Sequence, residues 1–403
     1  MRDLDEKALK AKEKKAAIGP DVDLTTFTAE PVEHPYLQDL NSIEEPDRKR
    51  LLQSGVDTSE TGRSGTYIQK DTAVLHAHSL QEGLEVIPIK KALEEYEWVK
   101  DYYWKLASVD ADKFTANAQL QLHDGYVIRA LPGAKVIMPV QACLYLDKEN
   151  ISQYVHNLII AEEDSELHII TGCATSPHLK RGLHVGISEF FVKKNAKLSF
   201  TMIHNWAEEM MVRPRSVGIV EEGGLFLNNY ICMKPVKSLQ MFPTTRLIGK
   251  GAVSRFYSLL VGNPGTELDV GGRISLDAEE TRAEIIARAI TNGGNIINRG
   301  DLIGNVAGVR AHLECRGLIL KGGIIHAIPE LQGRVEGVEM SHEAAVGKIA
   351  QEEILYLMSR GLSEDEATST IVRGFMSVDI PGLPPQLKAE IDRAVEQSNK
   401  DMM

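Results

Sequence analysis

The sequence predicts a mainly β protein built as a β-helix, with helices at its two ends and one inserted near the start. Three observations carry that expectation. From about Thr72 to Met340 nearly every segment is a strand-length run of alternating apolar and polar residues bounded by turn residues. About seventeen such runs follow one another, more than the roughly seven to nine strands of an immunoglobulin-like sandwich. Turn pairs at Lys194-Asn195, Gly223-Gly224, Lys250-Gly251, Gly293-Gly294 and Gly322-Gly323 recur at one or two multiples of roughly 20–30 residues, the length of a solenoid coil. A β-helix accounts for both the number and the beat, because each coil stacks its alternating side chains on the next.

The elements follow in order. Residues 1 to about 70 start with a short amphipathic helix, Leu4, Leu9 and Ala16 on one side, and continue into a Pro/Asp/Glu/Ser-rich stretch ending in SGVDTSETGRSG that reads as loop. The β-helix core spans 71–341, with runs such as AVLHAH, AQLQLHDGYVIRAL, KLSFTMIHNW, GLFLNNYICM and HLECRGLIL. One helix interrupts it, KKALEEYEWVKDYYWKL at 90–106, whose Leu93, Tyr96, Trp98, Tyr103 and Leu106 form an apolar stripe. In VEMSHEAAVGKIAQEEILYLMSRG the chain alternates before Ser341. After it Ile349, Ile354, Leu355, Leu357 and Met358 take helical spacing until Gly361. A second helix opens with the S-x-x-E capping box of Ser363 and Glu366 and stops near Gly374; a third runs from Gln386 to about Gln397 after Pro384-Pro385. Residues 342–403 thus form a helical module suited to docking a partner.

Composition narrows the function. With 45 basic and 57 acidic residues the formal charge is −12, and no Lys/Arg cluster is interleaved with aromatics, which excludes a nucleic-acid surface. No apolar run approaches the roughly 20 residues of a membrane span, and the charged first twenty residues lack the apolar core of a secretory signal. The expectation is a cytoplasmic protein. Its four cysteines, Cys143, Cys173, Cys232 and Cys315, lie far apart with no CxxC pair, and free thiols are expected in a reducing compartment.

Two motifs are absent. Gly249-Lys250 and Gly347-Lys348 have Thr244 and His342 where a P-loop needs glycine, and HEAAV lacks the second histidine of HExxH. What remains are isolated ligand types: Cys315, Cys173, and His342-Glu343 at the expected strand-to-helix junction. Each has a plain reading too: a core cysteine, a hydrogen-bonded ring, a carboxylate favoured by the helix dipole. His76-Ala77-His78 places two rings on one strand face, as a chelating pair or as a solvated surface. A carbohydrate-active β-helix enzyme is disfavoured by the charged N-terminus and by an aromatic content of 6%.

The segment SHEAAVGKIAQEEILYLMSRGLSEDEATSTIVRGF, with LSFTMIHNW and HLECRGLIL upstream, resembles the SufB/SufD family of iron–sulfur cluster assembly proteins of the SUF system, from about residue 120 to 380. The length suggests the minimal SufB-like form (SmsB). The resemblance implies a right-handed parallel β-helix that pairs with a second copy or with a SufD-like paralogue, and C-terminal helices that bind a SufC-type ABC ATPase. It places the cluster-binding cysteine at Cys315 and the SufB-type His-Glu pair at His342 and Glu343. Where SufD-like proteins tend to read S-H-G, this chain keeps the glutamate. The sulfur-accepting cysteine falls on Cys173, and the Asn-Trp of the sulfur path on Asn205 and Trp206. Two departures stand out. Tyr145-Leu146-Asp147 replaces an Arg-x-Asn motif, and His204 replaces a glutamine.

The implied function is a scaffold, not an enzyme. It would assemble and pass on an iron–sulfur cluster, held transiently and [4Fe–4S] in preference to [2Fe–2S], with a cysteine desulfurase and carrier or apo-proteins as further partners. One thiolate anchor with labile oxygen and nitrogen donors, doubled by twofold pairing, suits a site that must release its cargo. The alternative is a SufD-like adaptor that regulates the ATPase and never carries a cluster.

Overall fold

Strands with apolar side chains at every second position need a second surface to cover them, and this chain supplies it by coiling. The computed structural model, which describes residues 2–376, is a β-solenoid of about eight turns. From Tyr126–Ala130 onward the strands alternate between two sheets. Tyr126–Ala130 and Ser152–Ala161 belong to the first sheet, Lys135–Leu146 and Glu166–Thr175 to the second, and the last coil is Ile324–Gly333 and Glu339–Gly347. Neighbouring coils pair in parallel. The step is 31 residues from Glu166 to Lys197, 28 from Lys197 to Leu225 and 29 from Val253 to Arg282.

The beat read in the sequence has a backbone cause. Asp164, Asn195, Gly223, Gly251, Glu280, Gly308 and Gly337 all hold positive φ, a region open to Gly, Asn and Asp at little cost and taken here once by a glutamate. They occupy one corner of successive coils. The amide of Asn195 donates to Glu222, that of Gly223 to Lys250 and that of Gly251 to Glu279, so the corner is a hydrogen-bonded column. The Asn195 side-chain amide adds a rung to the Asp164 carboxylate at 3.0 Å. The first-sheet strand is split at Pro214 (Glu209–Val212 and Arg215–Val220) and at Pro243 (Ser238–Met241 and Thr244–Leu247), since proline brings no N–H to the ladder. Inside, Phe190 contacts Phe200 and Phe226 at ring distances of 4.9 and 5.0 Å.

Antiparallel strands Gly65–Lys70, Ala73–Ser79 and Leu84–Pro88 extend the N-terminal end of the two sheets. Helix α1 (Arg2–Ala11) buries Ala8 and Ala11, whereas Leu9, expected on its inner face, is exposed. Helix α2 (Glu45–Gln53) lies over the second sheet. The helix expected over 90–106 is not continuous. Helix α3 (Ile89–Glu95) ends where Tyr96 turns extended, a 3-10 turn covers Glu97–Asp101, and Trp104 takes φ 54. The cause is tertiary: the buried Glu189 carboxylate accepts the amides of Trp104 at 2.7 Å and Ala107 at 3.0 Å, holding 102–107 as a loop. Helix α4 (Lys113–Leu120), capped by Asp112, takes up Ala118-Gln119-Leu120, which the alternation assigned to a strand. With α1 and α3 it covers the outer face of the first sheet.

At the C-terminal end the strand expected to stop at Ser341 continues to Gly347. Helix α5 (Gln351–Ser359) follows, then α6 (Glu364–Met376), whose capping box forms as read: the Ser363 amide donates to Glu366 at 2.8 Å and the Glu366 amide to Ser363 Oγ at 3.3 Å. Val372 and Met376 of α6 join an apolar stripe of Ile203, Ile231, Leu259 and Leu318 on the outer face of the second sheet. The helix expected from Gln386 lies outside the described residues. Among the described residues no helix is long and apolar enough to cross a membrane.

Candidate functional site

All four cysteines fall on the second sheet, and all are buried and unbridged. Alternation decides which way each points. On Arg310–Ile319 the inner positions are Ala311, Leu313 and Cys315, and Cys315 is 1% exposed in the interior core. Burial first, and the neighbouring Glu314 charge second, push its thiol up to about 11, while Arg288 opposes them.

The next strand pairs with this one in register, Leu313 beside His342, Glu314 beside Glu343 and Cys315 beside Ala344. His342 and Glu343 are therefore mid-strand, not at the junction with a helix, and they face opposite ways. His342 shares the inner face with Cys315. Glu343 shares the outer face with Glu314, where Arg316 pairs with both carboxylates at 2.8 Å and Arg288 reaches Glu314 at 2.6 Å. Beside them His312 Nδ1 lies 2.8 Å from Ser341 Oγ. His342 and Glu343 are exposed because no further coil covers the last turn among the described residues. The same ending leaves the Glu339–Gly347 strand with an open backbone edge, a ready surface for strand pairing. So Cys315 lies one strand inside an open end of the solenoid. No three His, Cys, Asp or Glu side chains form a ready-made metal cage among the described residues.

A second group lies deeper. Cys173, His204 and Cys232 sit side by side on consecutive strands and point inward, with Trp206 beside them. Burial pushes the Cys173 thiol far up and Cys232 to about 12, and it drives His204 well below its ordinary range, with His184 adding to the effect. His204 Nδ1 lies 2.8 Å from the Tyr230 hydroxyl. The Trp206 ring lies 5.1 Å from that of His184, tilted against it, and 5.4 Å from that of His204, edge-on. Asn205, grouped with Trp206 by the motif, faces outward to Arg50 at 2.9 Å and Gln53 at 3.3 Å. Cys143 also faces outward, packed with Tyr145 and Ala174. Sequence reasoning missed His184, Tyr230 and Arg316; the two-residue alternation was the signal that could have found them, given the coil register.

Five strand steps separate Cys173 from Cys315 along the second sheet, about 24 Å at the usual strand spacing. The two thiols are not one site.

Residues 144–375 match the family model described as SUF system FeS cluster assembly, SufBD core domain. A relative from Methanothermobacter thermautotrophicus (strain Winter), named as an iron-sulfur cluster assembly SufBD family protein, is 46% identical over the whole of both chains. One of the same family name from Archaeoglobus fulgidus is 53% identical over 89% of this chain and 96% of its own. Another from Staphylococcus aureus is 31% identical over 83% of this chain and 73% of its own.

Proposed function

This chain belongs to the SufBD family of iron–sulfur cluster assembly proteins, and from that premise we propose that it is a cytoplasmic scaffold on which clusters are built and released, working with a SufC-type ABC ATPase. The observation that carries the reading is the position of Cys315, a single soft ligand one strand inside an open solenoid end, with His342 on its face and Glu343 just across the sheet.

The cluster is cargo in this reading, and the chain's residues act on it in turn. Cys173 would accept the outer sulfur of a cysteine desulfurase's persulfide by exchange, the donor cysteine leaving as its thiol, and an external two-electron reductant such as a thiol pair would release that sulfur as sulfide into the inward column of His204, Trp206 and Cys232. Asn205, bonded to Arg50, fixes the strand from outside. Cys315 is 1% exposed and burial raises its thiol, so the last coil must loosen before iron can reach it. Glu343 must likewise leave Arg316 or meet the Cys315 of a partner copy. Helices α5 and α6 follow directly after the last strand, so an ATPase gripping them would pull on the coil that covers Cys315. Twofold pairing along the open edge doubles the ligand set.

Anaerobic reconstitution with ferrous iron and sulfide tests the proposal. The wild-type protein gains visible absorption and acid-labile sulfide that Cys315→Ser lacks. The burial of Cys315 and the Arg316 pairing of Glu343 favour a second reading, a SufD-like adaptor; a wild-type protein that gains no acid-labile sulfide under the same conditions would support it.

A further inference from the structure

At the end of the second sheet opposite the open coil, residues 34–47 cross the surface and leave a cleft of about 510 Å³ between themselves and the sheet. Its floor is apolar. Leu51, Ile68 and Leu75 are buried there, and Leu37 and Ile43 are half-buried against them. Its rim is charged. Lys70 Nζ lies 2.9 Å from the Asp147 carboxylate and 3.7 Å from that of Asp47, and the Tyr145 hydroxyl donates to Asp47 at 2.6 Å. Glu44 adds a third carboxylate, so the acids on the rim outnumber its lysine by three to one. Of the two histidines beside them, His34 is turned to Asp71 at 2.9 Å and His178 to Asp147 at 3.4 Å.

This arrangement selects a ligand. An ionised carboxylate accepts up to about four hydrogen bonds, so Asp47 and Asp147 keep acceptor capacity beyond what Lys70 and Tyr145 fill. Burial alone would raise the Asp147 carboxyl, but bonds from Lys70 and Ser176 outweigh it and hold the group below its ordinary value. Excess negative charge beside an apolar floor suits a cation next to an aliphatic side chain. A free small molecule is normally enclosed over most of its surface. Here the Asp47 and Asp147 side chains stay 22% and 24% exposed, and Glu44 and His178 stand open on the rim, which leaves room for a chain to continue past the cleft. The neighbouring wall already binds a chain in this way. The Leu37 amide donates to the Leu75 carbonyl at 2.7 Å, and the Tyr36 hydroxyl meets both the amide and the carbonyl of Ala77 at 3.2 Å, with Leu37 as the apolar anchor.

We propose that this cleft docks a segment of a partner protein in which an aliphatic residue stands next to a lysine or arginine, the aliphatic side chain on the apolar floor and the cation between Asp47 and Asp147. The site lies at the far end of the sheet from Cys315 and does not rest on the scaffold reading. The test is a saturation-transfer NMR titration of tag-free full-length protein with the tetrapeptides acetyl-Gly-Leu-Lys-Gly-amide and acetyl-Gly-Leu-Arg-Gly-amide. The peptide with glutamate at the third position and hexylammonium serve as comparisons. At least one basic peptide should saturate, and bind about 10-fold more tightly than either comparison. Asp147→Asn should weaken it about 10-fold, and Lys70→Met, which removes the competing cation, should tighten it about 3-fold. A merely structural role would move both variants the same way. Both side chains are partly exposed, and circular dichroism checks that each variant keeps its fold. Ile43→Phe fills the cleft without touching a charge and should abolish binding. The proposal is overturned if neither basic peptide saturates, if the glutamate peptide or hexylammonium binds as tightly, or if the two charge variants shift affinity in the same direction.

Discussion

Cys315 and Glu343 lie on adjacent strands of one sheet but on opposite faces of it, separated by the alternation that builds the solenoid. The carboxylate is held outside by Arg316, and the thiol is enclosed within. Cys315→Ser should therefore abolish reconstituted cluster. Arg316→Ala, which releases Glu343 from an exposed pair worth about 0.2–1 kcal/mol, should speed loading by no more than about 5-fold. Iron and acid-labile sulfide per chain, followed in time, decide both; unchanged loading in Arg316→Ala would mean that Glu343 takes no part.

The thiols make stability fall at alkaline pH. The folded protein holds Cys315 at about 11 against an ordinary 9.0, so between those values the folded state keeps a proton that the unfolded chain releases. Stability is then full below 9.0 and declines as pH rises toward 11, by on the order of 3 kcal/mol from this group. Cys232, held near 12 from the same ordinary value, steepens the decline over that window and extends it. Urea midpoints measured across that window should drop, and Cys315→Ala should flatten the early part of the slope.

Two glycines of one corner should behave differently. Gly251 has φ 71 and open space where a Cβ would go, so Gly251→Ala costs only backbone strain, about 1–2 kcal/mol. A Cβ on Gly249 would lie 1.9 Å from the Glu222 backbone nitrogen, which cannot yield without breaking the coil below. Gly249→Ala should be far the more damaging in thermal melts, and similar losses would contradict the stacked-corner account.

Much of this architecture was legible. Period-two alternation marks most of the strands, and the corner column of Asn195, Gly223 and Gly251 is what made the turn spacing visible. The failures share a cause. Whether 102–107 continues a helix is decided by Glu189, more than eighty residues away, and no local propensity reports that contact. His342-Glu343 and Asn205-Trp206 each read as a unit in the sequence because they are adjacent, yet in a strand adjacent residues face opposite ways. A strand extending to Gly347 was missed because Ala344, Ala345 and Val346 suit either state, and coil pairing with Arg310–Ile319 decides it.

That distant carboxylate also sets the sharpest stability prediction. Glu189 is wholly buried, lies 2.8 Å from His156 Nε2, and accepts the amides of Trp104 and Ala107. The imidazole is enclosed by the Tyr103 and Trp104 rings at 4.5 and 4.6 Å, so neither group has water to fall back on. Glu189→Ala removes the acceptor for several donors at once and leaves the ring unpaired, and losses of about 3–5 kcal/mol follow when one member of a buried pair is deleted. Replacement by glutamine keeps one acceptor oxygen and should lose less, because the amides need an acceptor more than a charge. His156→Phe keeps the ring volume and should fall between the two. Thermal melts order the three, and tryptophan fluorescence should report release of Trp104 below the global transition in Glu189→Ala. If that variant melts as wild type does, the loop is held by its apolar packing under α1 and α4 and not by the carboxylate.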